Sequence, residues 1–210
     1  MKLRLMISTV CIATLAMSGC ASKVTQPDEY SGFLSDYSQL KEAQSPSGAE
    51  VMRWVDPKLD LSRYNAVYIE PTQFYPKPQA TAKIPDSTLN GINTYYNQAL
   101  KRELAKSLPL ANAPGPGVIV VRAAITAVSS KTESLKPYEY IPVALVAAAV
   151  STGTGIRDQE TTLGTEAQFL DGASGKVLAQ VVRKGTGKPL ANDSQVMKAD
   201  DVKSVIDGWA

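Results

Sequence analysis

The sequence predicts an α+β domain: a mixed β-sheet of about four strands with helices packed mainly on one face, preceded by a cleaved lipoprotein signal peptide. Three observations lead there. Residues 118–128, VIVVRAAITAV, form a β-branched and mostly apolar run suited to a strand buried on both faces. Residues 163–170 and 176–183 flank Asp171-Gly172-Ala173-Ser174-Gly175, which has the chemistry of a hairpin turn. Between residues 64–71 and the apolar run lies a stretch with apolar residues at helical spacing.

The N-terminal leader comes first. Met1-Lys2-Leu3-Arg4 is positive, and residues 5–16 are mostly apolar and uncharged. That length fits the core of an export signal and is short for a membrane span. Leu15-Ala16-Met17-Ser18-Gly19-Cys20 follows and resembles the bacterial lipobox, with Met17 where Leu is usual. Small residues let a membrane-embedded peptidase reach the Gly19–Cys20 bond, and the Cys20 thiol is the group that accepts lipid. Two or more acyl chains, palmitate among them, anchor stably where one does so marginally. The competing reading is an ordinary signal with a chance cysteine, or an uncleaved N-terminal helix. Ala21 and Ser22 follow with no Asp. That pattern resembles outer-membrane sorting in Gram-negative bacteria, with the domain facing the periplasm.

The expected organisation is residues 1–19 as signal, 20–30 as a lipidated tether and 31–210 as one domain. Residues 31–42, SGFLSDYSQLKE, place Phe33, Leu34, Tyr37 and Leu40 three and four apart, as on one helical turn or a packed loop. Ser45-Pro46-Ser47-Gly48 marks a loop. Residues 64–71 form the first strand, with Val67 and Ile69 on one face. Residues 74–85 carry Pro76, Pro78 and Pro85 and should be irregular. A helix over 86–108 begins at Asp86 or Ser87 as cap, with Leu89, Ile92, Tyr96, Leu100 and Leu104 as its apolar stripe. The strand over 118–128 and the hairpin follow. A last helix over 193–210 buries Val202, Val205, Ile206 and Trp209.

Composition narrows the function classes. Taking Lys2 and Arg4 from 22 basic residues leaves 20, against 20 acidic ones. A near-neutral domain has no electrostatic footprint for nucleic acid and no polybasic run for lipid. Histidine is absent, which removes the usual neutral-pH base and the commonest metal ligand. Cys11 and Cys20 are the two cysteines, so a cleaved and lipidated chain has no free thiol, which suits an oxidising compartment. No cofactor and no metal are expected.

The candidate chemical motifs fail on inspection. Gly185-Thr186-Gly187-Lys188 suggests a phosphate loop, but Val182 stands where the first glycine belongs and Pro189 where Ser or Thr would reach magnesium. Ser38-Gln39-Leu40-Lys41 has the Ser-x-x-Lys spacing of penicillin-recognising enzymes, but Lys131-Thr132-Glu133 lacks the glycine of the companion motif. Asp158 with Glu160 and Asp200 with Asp201 sit beside turns or helix starts, where acids suit the helix dipole. Tyr95, Tyr96, Tyr138 and Tyr140 read as half-buried rings with solvated hydroxyls, or as the lining of a groove.

One segment stands out. Residues 141–150, IPVALVAAAV, have no polar side chain and run into Ser151-Thr152-Gly153-Thr154-Gly155. The segment is too short to span a bilayer. It is either an Ala-rich element packed on the sheet or an apolar patch for a membrane or partner protein, with Ile141, Pro142, Val143, Leu145, Val146 and Val150 as contact residues.

The stretches SGFLSDYSQLKE, VDPKLDLSRYNAVYIEPTQFY and GTEAQFLDGASGKVLAQVV together resemble the bacterial lipoprotein family catalogued as domain of unknown function 3313. The resemblance runs from about residue 31 to 209, and the first stretch is its most specific part. It implies a lipobox and an α+β domain, and supplies no reaction and no catalytic residues. Similar proteins usually extend the last helix with charged residues, whereas this sequence ends at Ala210, directly after Trp209, which leaves a truncated end and the stability of that helix open. These readings converge on a non-enzymatic, membrane-anchored, periplasm-facing lipoprotein that serves as an envelope interaction or assembly module. Its partners are the membrane, through lipid on Cys20, and an envelope protein. The alternatives are a small-ligand-binding or transport-auxiliary lipoprotein with an apolar pocket, and an enzyme in which Ser38 or distant carboxylates converge.

Overall fold

A computed structural model describes residues 24–45, 47–132, 159–192 and 194–209. In chain order the elements are β1 (Lys41–Gln44), β2 (Glu50–Val55), β3 (Ala66–Ile69), β4 (Gln73–Phe74), α1 (Asp86–Leu104), β5 (Val118–Thr132), β6 (Gln159–Asp171), β7 (Val177–Thr186) and α2 (Lys203–Asp207). Short 3₁₀ turns occupy Pro27–Glu29, Leu61–Arg63 and Ala199–Asp201. The strands form one sheet in the order β1-β2-β7-β6-β5-β3, with β4 also paired to β5. Pairing is antiparallel from β1 through β5, and β3 and β4 run parallel to β5.

The α+β class and the mixed sheet agree with the sequence reading, but seven strands replace the expected four. The additions are β1, β2 and β4, of four, six and two residues. The β1 sequence Lys-Glu-Ala-Gln lies on the sheet edge, largely exposed, and holds no β-branched or aromatic residue. Its hairpin partner β2 closes around the loop read at residues 45–48, with Ser45 N–H donating to Ala49 O at 2.8 Å. Strand β4 has two residues and resumes the pairing on β5 that β3 leaves at Ile69.

Strand β5 is the spine. Val118, Ile119, Val120, Val121, Ala123, Ala124 and Ile125 are all buried, because material covers both faces of the sheet. One face receives the helices. Leu89, Ile92, Tyr96 and Ala99 of α1, with Val205 and Ile206 of α2, pack on Ala123, Ile125 and Val128 of β5 and on Leu163 and Ala167 of β6. Leu100 is partly buried against the same cluster, whereas Leu104 joins a second one around Tyr64, Val67, Ile119, Val121 and Leu178.

Helix α1 starts one residue earlier in role than expected. Pro85 is its cap and Asp86 occupies the first turn, where a carboxylate still faces the positive helix end. The helix stops at Leu104, with Lys101 and Arg102 in its last turn. The final helix is much shorter than residues 193–210: only Lys203–Asp207 is α-helical. The chain before it is spent pairing Leu190 with Gln159 and seating Met197 beneath α1, where Thr88 Oγ1 donates to Met197 O at 2.6 Å. Val202, Val205 and Ile206 are buried as expected, and Trp209 is partly buried on the same cluster.

Gly185 and Gly187 serve packing, not phosphate binding. A Cβ on Gly187 would overlap the Asp201 carbonyl oxygen and Thr161 Oγ1, and one on Gly185 would press into Val205 and Trp209. Bare backbone here lets the terminal helix lie against the end of β7. Gly187→Ala is therefore expected to lower unfolding stability by about 1–3 kcal/mol, as overpacking does, measured by urea denaturation against Gly115→Ala, a site with open space.

Candidate functional site

The face of the sheet away from the helices is polar. Side chains alternate along β6, so Leu163 and Ala167 in the helical core leave Glu166 and Gln168 on the other side. Gln168, Gln180 and Glu166 are all buried there, Glu166 at 1% exposure. Burying a carboxylate is costly unless hydrogen bonds replace its water. The cover is the N-terminal segment, residues 24–40, which crosses this face as a strap. Leu34 and Leu40 pack on Val182 of β7, with Tyr30, Phe33, Tyr37, Met52 and Trp54 around them.

Glu166 is the strap's fastening point. Its Oε1 accepts from Ser31 N–H at 2.8 Å, and its Oε2 accepts from the Tyr37 hydroxyl at 2.6 Å. The Tyr37 oxygen in turn accepts from Gly32 N–H at 2.9 Å and Leu34 N–H at 3.1 Å, so one phenol closes the strap's own turn. Tyr30 stacks on Tyr37 with ring centroids 4.5 Å apart. Burial first, and then the Glu166 hydrogen bond, push the Tyr37 hydroxyl up to about 12. Burial and the same carboxylate also raise Tyr30. A second fastening lies upstream, where Lys184 Nζ meets both oxygens of Glu29 at 2.9 and 3.0 Å, with both side chains largely buried. Val24 and Thr25, within the stretch read as tether, are themselves buried at 6% and 7% exposure.

The spacing of Phe33, Leu34, Tyr37 and Leu40 thus reports a packed loop, one of the two forms the sequence allowed. Glu166, Glu29 and Lys184 were not singled out by sequence reasoning. The available signal was a glutamate amid the otherwise apolar and neutral strand Leu-Gly-Thr-Glu-Ala-Gln-Phe-Leu.

At the opposite end of the sheet, where β6 finishes and β7 begins, a cleft of about 360 Å³ opens. Asp56, Lys58, Asp60, Arg63, Tyr64, Asp171 and Lys176 are among its lining residues. Leu59, Pro116 and Leu178 line it beside these charged groups. Its carboxylates are engaged locally. Asp56 accepts from Lys176 Nζ at 2.5 Å and Lys58 N–H at 2.8 Å. Asp60 accepts from Ser62. Asp171 accepts from Ser174 Oγ at 2.7 Å, Ser174 N–H at 2.8 Å and Tyr64 Oη at 2.9 Å, which hold its carboxyl down to about 2. Gly175, at φ +72°, completes that turn in a conformation that favours glycine.

The remaining candidates do not line this cleft. Ser38 is exposed, and its hydroxyl donates to Asp36 at 3.0 Å. Glu160 accepts from Thr186 Oγ1 at 2.5 Å, and Asp200 pairs with Lys203 at 2.6 Å. Tyr96 is in the helical core, while the Tyr95 hydroxyl donates to Asp207 at 2.8 Å. Cys20, Gly19, Asp158, Tyr138, Tyr140 and the apolar residues Ile141, Pro142, Val143, Leu145, Val146 and Val150 lie outside the described residues. Among the described residues no group of three or more His, Cys, Asp or Glu is placed to hold a metal ion, and no helix is long and apolar enough to cross a membrane.

Residues 29–210 match the family described as "Protein of unknown function (DUF3313)". The chain belongs to this family. The DUF3313 match begins at Glu29, the strap residue that pairs with Lys184, and so takes in the Glu166 fastening. A curated relative, the uncharacterized lipoprotein YdcL of Escherichia coli K12, is 44% identical over 196 residues, covering 93% of this chain and 88% of its own. Its counterpart in Escherichia coli O157:H7 matches equally. This DUF3313 member is a lipoprotein of unknown biochemical activity, and as a lipoprotein it is membrane-anchored in the cell envelope. Solved structures overlap it in part. The PelC dodecamer subunit of Paraburkholderia phytofirmans is 14% identical, with a TM-score of 0.38 over 75% of this chain and 92% of that one. A putative neuraminyllactose-binding hemagglutinin homolog of Helicobacter pylori is 10% identical, with a TM-score of 0.39 over 71% and 78%.

Two pH dependences follow from these bonds. A tyrosine whose folded pKa lies above its ordinary 10 stabilises the fold fully below pH 10, and that contribution fades as pH rises toward about 12. Stability of the wild type should fall across that window, and Tyr37→Phe should flatten the slope while lowering neutral-pH stability by about 1–3 kcal/mol, the cost of buried groups left unpartnered. Asp171 has the opposite sign: its contribution is whole above the ordinary value of 3.8 and is lost as pH falls toward about 2. Acid titration of unfolding in Asp171→Asn should lack that component.

Proposed function

We propose that the chain is exported, cut between Gly19 and Cys20, lipidated on Cys20 and held at the outer membrane facing the periplasm, where it acts as a non-enzymatic interaction or assembly module. The observation that carries this reading is the leader itself: a positive start, an apolar core, and Ser18-Gly19-Cys20 at its end, with no Asp following. Kinship to a curated lipoprotein supports it. A non-enzymatic role is supported by the local engagement of the residues that an enzyme would need free. Ser38 serves Asp36, and Asp56, Asp60 and Asp171 serve loop turns and Lys176. The apolar stretch with Val143 and Val146 is the proposed contact for an envelope protein.

Mass analysis of the protein purified from envelopes should find a chain that begins at an acylated Cys20, banding with the outer membrane on a density gradient. Cys20→Ala should move it out of the membrane fraction. In-cell photocrosslinking from position 143 should capture one defined envelope protein, and Val146→Asp should abolish that adduct. A bare thiol at Cys20, or a retained leader, would refute the anchor; no adduct above a surface control would refute the assembly role.

A further inference from the structure

We infer that the cleft at the end of the sheet where β6 finishes and β7 begins is a receptor for an aliphatic carboxylate, with Arg63 and Lys58 taking the charge and Leu59 and Leu178 the apolar part. The inference is independent of the lipid at Cys20 and of the contact proposed around Val143 and Val146.

The cleft is built before any ligand arrives. Three chain segments meet there, within residues 56–64, 116–117 and 171–178. Backbone bonds tie them across: Asp56 N–H donates to Leu178 O at 2.8 Å, Asn65 N–H to Gly117 O at 2.9 Å and Gly172 N–H to Val118 O at 2.9 Å. The Tyr64 hydroxyl adds a side-chain tie by donating to Asp171 at 2.9 Å. A Cβ on Gly172 would overlap the carbonyl oxygens of Gly115 and Val118, so the turn after β6 sits hard against the loop before β5. Walls fixed in this way lose little freedom when a ligand enters. The volume of about 360 Å³ falls within the range of small-ligand sites.

The charges in the cleft are unevenly committed. Asp171 Oδ1 accepts from Ala173 N–H, Ser174 N–H and Ser174 Oγ, and its Oδ2 accepts from Tyr64. Asp60 accepts twice from Ser62, and Asp56 holds Lys176. Among the described residues, the Arg63 guanidinium and the Lys58 ammonium enter no ion pair. Both still bear on the cleft: the charge of Arg63 is felt at the Tyr64 hydroxyl and that of Lys58 at Asp56. What the cleft leaves unanswered is therefore positive charge, and a guanidinium offers a planar fork that fits one carboxylate. Beside it Leu178 is 5% exposed and packs with Tyr64 and Leu59, which gives the ligand's carbon chain an apolar wall. Asp56, Asp60 and Asp171 in the same cleft repel a doubly charged anion, so a single carboxylate is favoured over phosphate. Two sources carry this chemistry, a free aliphatic acid and the C-terminal end of a peptide with an apolar last residue.

Calorimetric titration of the whole protein, purified from envelopes in a nonionic detergent, tests this with isocaproate and acetyl-leucyl-leucine as probes, each beside its uncharged carboxamide. At least one acid should bind saturably at a single site, and its carboxamide should bind at least about tenfold more weakly, since a charge-assisted hydrogen bond is lost. Saturation by isocaproate assigns the site to a free acid; saturation by acetyl-leucyl-leucine alone assigns it to a peptide end. Arg63→Gln should weaken the bound acid by about tenfold or more, Lys58→Gln should weaken it in the same direction, and Lys188→Gln, outside the cleft, should leave it unchanged. Arg63 and Lys58 are exposed, so urea midpoints of these variants should match the wild type and separate lost binding from lost folding. No saturable binding of either acid, equal binding of the carboxamides, tighter binding of inorganic phosphate, or full affinity retained in both Arg63→Gln and Lys58→Gln would each overturn the assignment.

Discussion

A carboxylate sealed beneath a sheet requires partners, and Glu166 obtains them from a segment more than a hundred residues away in sequence. That one constraint organises the N-terminal third of the fold. Ser31 and Tyr37 bring the strap to Glu166, Tyr37 closes the strap's turn by accepting two backbone N–H groups, and Leu34 and Leu40 then reach Val182. Without the strap, Glu166 and Val182 would face water. With it, Glu166 and Val182 are sealed beneath Leu34, Tyr37 and Leu40.

The two faces are built on different physics. The helical face is apolar and close-packed, down to glycines where no side chain fits between β7 and the chain end. The strap face is polar and directional, so its cover is placed by hydrogen bonds and an ion pair as much as by area. Apolar burial tolerates small shifts of one element on another, whereas a strap fixed by Glu166 and by Glu29 with Lys184 has little freedom to slide.

The charged cleft illustrates how acidic residues that look chemical can be structural. Asp56, Asp60 and Asp171 each accept hydrogen bonds from residues two or three positions on, the habit of aspartates that close turns. The Lys176 hydrogen bond first, then Lys58 N–H, lowers the proton affinity of Asp56, and the Ser62 and Ser174 donors lower those of Asp60 and Asp171. The cleft is thereby a rim on the end of the sheet, assembled from three chain segments.

The sequence by itself determined the α+β class, helix α1, strand β5 and the β6–β7 hairpin, since each is written in local periodicity or turn chemistry: the stripe of Leu89, Ile92 and Tyr96, the run from Val118, and Asp171 through Gly175. It also located the buried residues of the last helix, though not its length, because the chain before it is held by Gln159 and Thr88, far away in sequence. The number of strands escaped it, because β1 and β4 are too short and too polar to be periodic and β2, Glu50–Val55, sets Val51 beside Met52 and Trp54 beside Val55 with no period-two alternation. Only the tertiary structure decided which face the N-terminal segment covers and that Glu166 fastens it. A buried carboxylate and a solvated one have the same letter in sequence. What separates them is the distance to a tyrosine 129 residues away, which no local pattern encodes.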